Sequence, residues 1–195
     1  METERRPERA DAARNRRAIL RATEELLRDN PPEQVSVERV AAAAGVGKGT
    51  VFHRFGSRIG LIQELLIERA QAFTDSLETG PPPLGPGAPA GERLLAFVDA
   101  AIELIERNIG LMVALEHAAA TSRQEDRDSH PVYGAWHRHV SALLAEAAPG
   151  VDAEVTAHLL LGALHSDPVV LAFREGEGER VAAALRVMVN GLIDR

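Results

Sequence analysis

Lys48, Thr50, His53, Arg54 and Arg58 lie in one short stretch with Gly47, Gly49 and Phe52. These residue types suit contact with a nucleic acid better than bond-making chemistry. Lys48 supplies a mobile positive charge, and the guanidinium groups of Arg54 and Arg58 stay charged and can grip a phosphate bidentately. Thr50 carries a hydroxyl and a methyl that can meet a base edge or the thymine methyl. Gly47 and Gly49 lack a Cβ, so their backbone can come close to a duplex. Upstream, Ser36 offers a further hydroxyl near the phosphates.

The seven histidines invite a catalytic or metal reading. His137 and His139 stand two apart and diverge on a helix, whereas His158 and His165 stand seven apart and share a face. Neither pair has the i, i+4 spacing of a helical zinc site. Gly45-Val-Gly-Lys-Gly-Thr lacks both a preceding strand and P-loop spacing, and nucleophile elbows and dinucleotide fingerprints are missing. The expectation is a binding protein and not an enzyme, with no metal and no cofactor. An all-α His-dependent enzyme is the runner-up class.

Local signals place the basic stretch on a helix-turn-helix. Ser36 can cap a helix carrying Val37, Val40, Ala41 and Ala44 at helical spacing. Gly45 tolerates positive φ where that helix must stop, and Val46 returns an apolar side chain to the core. A second helix is expected from about Gly47 to Phe52, with Val51 and Phe55 facing inward and Arg58 opening the next helix. Helices joined in this way set the second one in the major groove. A plain packing hairpin of two short helices fits the same residues.

Residues 15–65 as a set resemble the DNA-binding domain of the TetR family of transcriptional regulators. Ile19-Leu20-Arg21-Ala22-Thr23-Glu24-Glu25-Leu26-Leu27 is similar to that family's first helix, and Ala43 to Phe55 to its turn and recognition helix; Gly56-Ser57-Arg58 and Leu61 continue the match. The resemblance implies an all-α fold with an N-terminal three-helix DNA-binding domain and a C-terminal helical domain for ligand binding and dimerisation. It also marks departures. The family usually has a tyrosine at Phe52, so the ring remains but the phenolic donor to phosphate is absent. Histidine is frequent at Arg54 and lysine at Arg58, so both guanidinium groups are replacements. His53 falls at a position that varies in the family, which leaves its part in base reading open.

Charge agrees once it is divided along the chain. The 195 residues carry −7 overall, but residues 1–58 hold 12 basic against 9 acidic side chains and residues 59–195 hold 10 against 20. Local positive charge serves phosphate binding, and an acidic remainder stays off DNA. We therefore place the DNA-binding domain at 1–58 and the effector and dimerisation domain at 59–195. Arg5, Arg6, Arg9, Arg14, Arg16 and Arg17 form either a leader merging into the first helix or an arm reaching the minor groove. No cysteine occurs, no run of about 18 apolar residues appears, and the start lacks a signal-peptide core, so a cytoplasmic protein without membrane contact is expected.

Beyond Arg58, Leu61, Ile62, Leu65, Leu66, Phe73 and Leu77 mark a long helix that Gly80-Pro81-Pro82-Pro83 terminates. Helices are expected from Glu92 to Arg107 and again around Leu111 to Ala120, with a polar loop from Thr121 to Ser129. Pro131 opens the next, which carries Tyr133, Trp136 and Val140. Asp152 to His165, a short segment capped by Asp167 with Pro168, and Glu179 to Ile193 complete the series. Val181, Leu185, Met188 and Leu192 form one stripe, which either finishes the monomer core or, as the resemblance implies, pairs the last two long helices with their copies in a homodimer on a palindromic operator.

The resemblance further implies a repressor released by a small-molecule effector. Phe73, Phe97, Met112, Leu115, Glu116, Tyr133, Trp136, His137, Leu161 and His165 combine large apolar faces with a few polar tips and are the candidates for lining its pocket. Each also suits plain core. An effector-independent DNA-binding protein would share the N-terminal motif and have a filled core.

Overall fold

The computed structural model describes the backbone of residues 5–121 and 132–194 and the side chains of 11–116 and 132–194. Among the described residues it is all-helical: α1 (Arg5–Asp29), α2 (Val37–Ala44), α3 (Lys48–Phe55), α4 (Arg58–Thr79), α5 (Ala90–Thr121), α6 (Tyr133–Ala147), α7 (Ala153–Ala163), α8 (Asp167–Arg174) and α9 (Gly178–Ile193), with a 3-10 turn at Pro32–Gln34. Two compact units result: residues 5–66 with 111–121, and 67–110 with 132–194.

The first unit forms around Ile19, Leu20, Val35, Val40, Val51, Phe55, Leu61 and Ile62, all buried. Its turns follow from individual residues. Ser36 Oγ accepts from Arg39 N at 3.2 Å and caps α2. Gly45 ends α2 at φ 67°, and Val46 N then donates to Ala41 O at 3.0 Å. The second helix is longer than the expected span ending at Phe52: it continues through His53, Arg54 and Phe55 because the stop is Gly56, at φ 70°. Phe55 belongs to the buried face, so the added turn is anchored by packing.

In the second unit Phe73, Phe97 and Trp136 pack in a trio, with centroid separations of 5.6, 5.1 and 6.2 Å, Trp136 edge-to-face against both phenyl rings. Here α6 packs on α7, and α8 on α9. Several expected boundaries move. No break separates Arg107 from Leu111; α5 is one helix of 32 residues. Asn108, 4% exposed, donates back to Leu104 O at 2.6 Å and pairs with the Arg69 guanidinium, so a residue that favours turns is satisfied inside a helix. Thr121 is the last residue of α5, not the first of a loop. The rest of the expected loop, and Pro131, fall outside the described residues. Ser166 occupies the cap position of α8, with Asp167 already in the helix, whereas Asp152 caps α7 by accepting from Val155 N at 3.1 Å.

Candidate functional site

α3 divides sharply between two faces. Val51 is fully buried and Phe55 is 7% exposed, while Lys48, Gly49, Thr50, Phe52, His53 and Arg54 are all exposed. Two inward side chains hold the helix against α2 and its neighbours, and the remainder projects outward. Gly47 is the cap residue. A Cβ at Gly49 would meet nothing within 4 Å, and one at Gly47 only Thr50 Oγ1 at 3.8 Å. Internal packing therefore does not require either glycine. Their smallness leaves the start of α3 open to close approach, and no side chain caps its first turn.

Lys48 has two partners that spacing did not suggest. Its Nζ pairs with Glu38 Oε1 from the first turn of α2 and lies 5.4 Å from the centroid of the Phe52 ring. The Lys48 hydrogen bond, followed by the backbone and Ser36 at the start of α2, holds the Glu38 carboxyl below its ordinary value. Only the turn brings these side chains together, although an acid in the first turn of the preceding helix was a visible signal.

Ser36 and Arg58 are already engaged. Ser36 Oγ accepts from Arg39 N in the α2 cap, and its O–H donates to the Glu38 carboxylate. Arg58 Nη1 donates to Pro32 O at 2.9 Å, tying the start of α4 to the chain before α2. Further back, Arg39 donates to Gln34 O at 2.7 Å and Asn30 Oδ1 at 3.1 Å, which stiffens the same connection.

The ten residues considered for a pocket do not come together. Phe73, Phe97, Trp136 and Leu161 lie in the core of the second unit, with Trp136 Nε1 donating to Thr74 Oγ1 at 2.9 Å. Leu115 packs on the core of the first unit, Met112 is half-buried, and Glu116 is exposed. Tyr133 and His137 form a surface stack with His158: the two imidazoles lie 3.8 Å apart, Tyr133 Oη and His158 Nδ1 share a 2.6 Å hydrogen bond, and His137 Nε2 lies 3.1 Å from Glu154 O. His165 is exposed, with Nδ1 at 3.0 Å from Leu161 O. Among the described residues no three metal-ligating side chains converge.

Two surface features remain. An open cleft of about 450 Å³ runs from the end of α7 between α8 and α9, past Val169, Ala172, Leu185 and Met188, and holds none of those ten residues. On α7 and α9, Val155, Leu159, Val187 and Met188 are 53%, 69%, 73% and 59% exposed. Gly162 and Gly191 continue those helices at heptad spacing from Val155 and Ala184, and a Cβ on either would meet nothing within 4 Å. Among the described residues no single helix is long and apolar enough to cross a membrane.

Residues 19–65 match the model of bacterial regulatory proteins of the tetR family. No curated protein matches the chain in sequence. Solved structures with this fold include a TetR-family transcriptional regulator from Pectobacterium atrosepticum, 20% identical with a TM-score of 0.63 over 96% of this chain and 98% of that one. The fatty acid degradation regulator FadR from Bacillus halodurans is 15% identical, with a TM-score of 0.59 over 89% and 97%. FadR from Bacillus subtilis, solved in complex with stearoyl-CoA, is 19% identical, with a TM-score of 0.58 over 90% and 96%.

Proposed function

We propose that this chain, a TetR-family transcriptional regulator by its residues 19–65, is a homodimeric repressor that leaves a palindromic operator when a small molecule binds its second unit. One observation carries the reading: α3 buries Val51 and Phe55 and turns an exposed face of Lys48, Thr50, His53 and Arg54 outward, beside two glycines that packing does not need. In this reading Lys48, Thr50 and His53 meet base edges, while Ser36, Gly47, Gly49, Phe52, Arg54 and Arg58 settle the phosphates and the backbone approach. The division of labour falls near residue 58, and the protein works without catalysis in the cytoplasm, where its DNA lies.

The exposed apolar faces of α7 and α9 support dimerisation, because side chains of that size rarely remain in water together without a partner. A two-fold dimer would present two recognition helices roughly 34–36 Å apart. An effector acts by preferring one spacing over another, and its leverage equals that preference. Of the residues named for the pocket, Phe73, Phe97, Trp136 and Leu161 share the core of the second unit and remain its proposed lining.

A second reading has its own support. The edge-to-face aromatic trio and the 1% exposure of Leu161 describe a filled core, as an effector-independent DNA-binding protein would have. Selection from a random duplex pool tests the operator: an enriched palindrome is expected, and enrichment of no sequence overturns the reading. Screening small molecules against the enriched duplex separates the two forms. Release by a compound that also raises Tm supports the switch; affinity unchanged across the panel favours the effector-independent form.

A further inference from the structure

We propose that Glu38 is a positioning residue for DNA: it holds Lys48 at the start of α3 and thereby weakens the hold of the helix-turn-helix on duplex of arbitrary sequence. The inference rests on the reading that α3 faces DNA. Lys48 Nζ pairs with Glu38 Oε1 and lies 5.4 Å from the centroid of the Phe52 ring, so the ammonium sits between a carboxylate and an aromatic face. Both charged side chains are more than half exposed, at 54% and 56%. The pair therefore adds little to stability and opens readily. Its effect belongs to binding.

Glu38 is well placed for this. It stands in the first turn of α2, where the helix dipole favours a negative charge, beside the Ser36 cap. On duplex of arbitrary sequence, where Lys48 has no base partner and turns to the backbone, a phosphate approaching it must displace this carboxylate and then lie close to it. The uncovered carboxylate repels the phosphate and keeps a cation nearby, so fewer counterions are released than a free lysine would release. Sequence-independent binding depends almost wholly on that release. Lowering it frees the protein from the large excess of non-specific sites.

The full-length protein, E38Q, K48A and the double variant are titrated against a random-sequence duplex from about 50 to about 200 mM salt. E38Q should bind roughly two- to fivefold more tightly than wild type, the range that an exposed ion pair spans. Its plot of log K against log salt should steepen by up to about 0.9. In the K48A background, Glu38→Gln should lose most of both effects. E38D keeps the charge and shortens the reach, so an intermediate gain is expected, and it serves in place of E38Q should the amide disturb α2.

An equal gain with and without Lys48 would identify a general charge effect and overturn the proposal. So would indistinguishable affinities and slopes for wild type and E38Q. Absence of duplex binding by wild type at the lowest salt removes the DNA-binding reading itself, and this proposal with it.

Discussion

Trp136 Nε1 donates to Thr74 Oγ1 at 2.9 Å, and the Thr74 hydroxyl donates in turn to Ala70 O at 2.9 Å. Thr74 is 8% exposed and Trp136 6%, so the chain of two bonds runs through the interior of the second unit and leaves neither donor unpaired. Thr74→Val keeps the shape and removes the acceptor, stranding a buried indole N–H. The expected cost is about 1–3 kcal/mol. Urea unfolding followed by Trp136 fluorescence checks it, and Thr74→Ser, which restores the oxygen, should recover most of the loss.

Glu106 reaches from α5 to the beginning of α9, where its Oε1 accepts from Gly178 N at 2.9 Å. This contact supplies the cap that Glu177, with no side-chain cap bond, does not. A Cβ at Gly178 would collide with the Glu106 carboxylate, so Gly178→Ala must expel it. Glu106→Ala should cost about 1 kcal/mol, as loss of an N-terminal cap does. Amide exchange in the first turn of α9 should quicken in both variants, and unchanged protection there would refute the cap.

His139 provides a pH dependence. Burial first, and then the Arg93 guanidinium, lower its pKa from the ordinary 6.5, and its Nε2 is buried without a partner. Between the folded and unfolded values the unfolded chain binds more protons, so stability rises with pH across that window. The contribution is complete above about pH 6.5 and is lost as pH falls towards the folded value. His139→Leu removes the titration and an unsatisfied nitrogen together. Its stability at pH 7 should equal or exceed that of wild type, with a flatter acid limb in urea titrations below about pH 6.5.

How much of this could be read beforehand depended on the range of the interaction. The α2 turn was readable because Ser36, Gly45 and Val46 act within a few residues of one another. The join inside α5 was not, because Asn108 is reconciled to a helix partly by Arg69, 39 positions earlier. The same reason hides the Glu38–Lys48 pair across the turn and the stack of His137 on His158 from different helices. Spacing within one helix cannot reveal a partner on another. For the proposed pocket, side-chain type selected the aromatic residues of the second unit, but Phe73, Phe97 and Trp136 turn towards one another.

Phe52 tests the exposed face of α3. Its ring is 43% exposed, and a hydroxyl added at its tip should supply a phosphate donor without disturbing the buried Val51 face. Phe52→Tyr should hold duplex DNA as tightly as wild type or several-fold more tightly, consistent with one added hydrogen bond to a charged group. Lys48→Ala with Thr50→Ala should abolish sequence preference while leaving the thermal transition in place, since both side chains are exposed. A clear loss in the first variant, or retained preference in the second, would place the reading surface elsewhere.

The exposed apolar faces of α7 and α9 call for a partner. Leu159 and Met188 are 69% and 59% exposed, so a charge at either position costs the isolated chain little in lost packing. In a dimer through these helices the same charge would be buried against apolar neighbours without a counter-ion, at several kcal/mol. Leu159→Glu combined with Met188→Glu should therefore convert a wild-type dimer to a folded monomer, with helical circular dichroism unchanged. Sedimentation equilibrium separates the outcomes. A double variant that remains dimeric would move the interface away from α7 and α9, whereas one that unfolds would show that these positions also serve the monomer. Monomerisation should in addition lower affinity for a palindrome far more than for a single half-site, because only the dimer engages two half-sites at once.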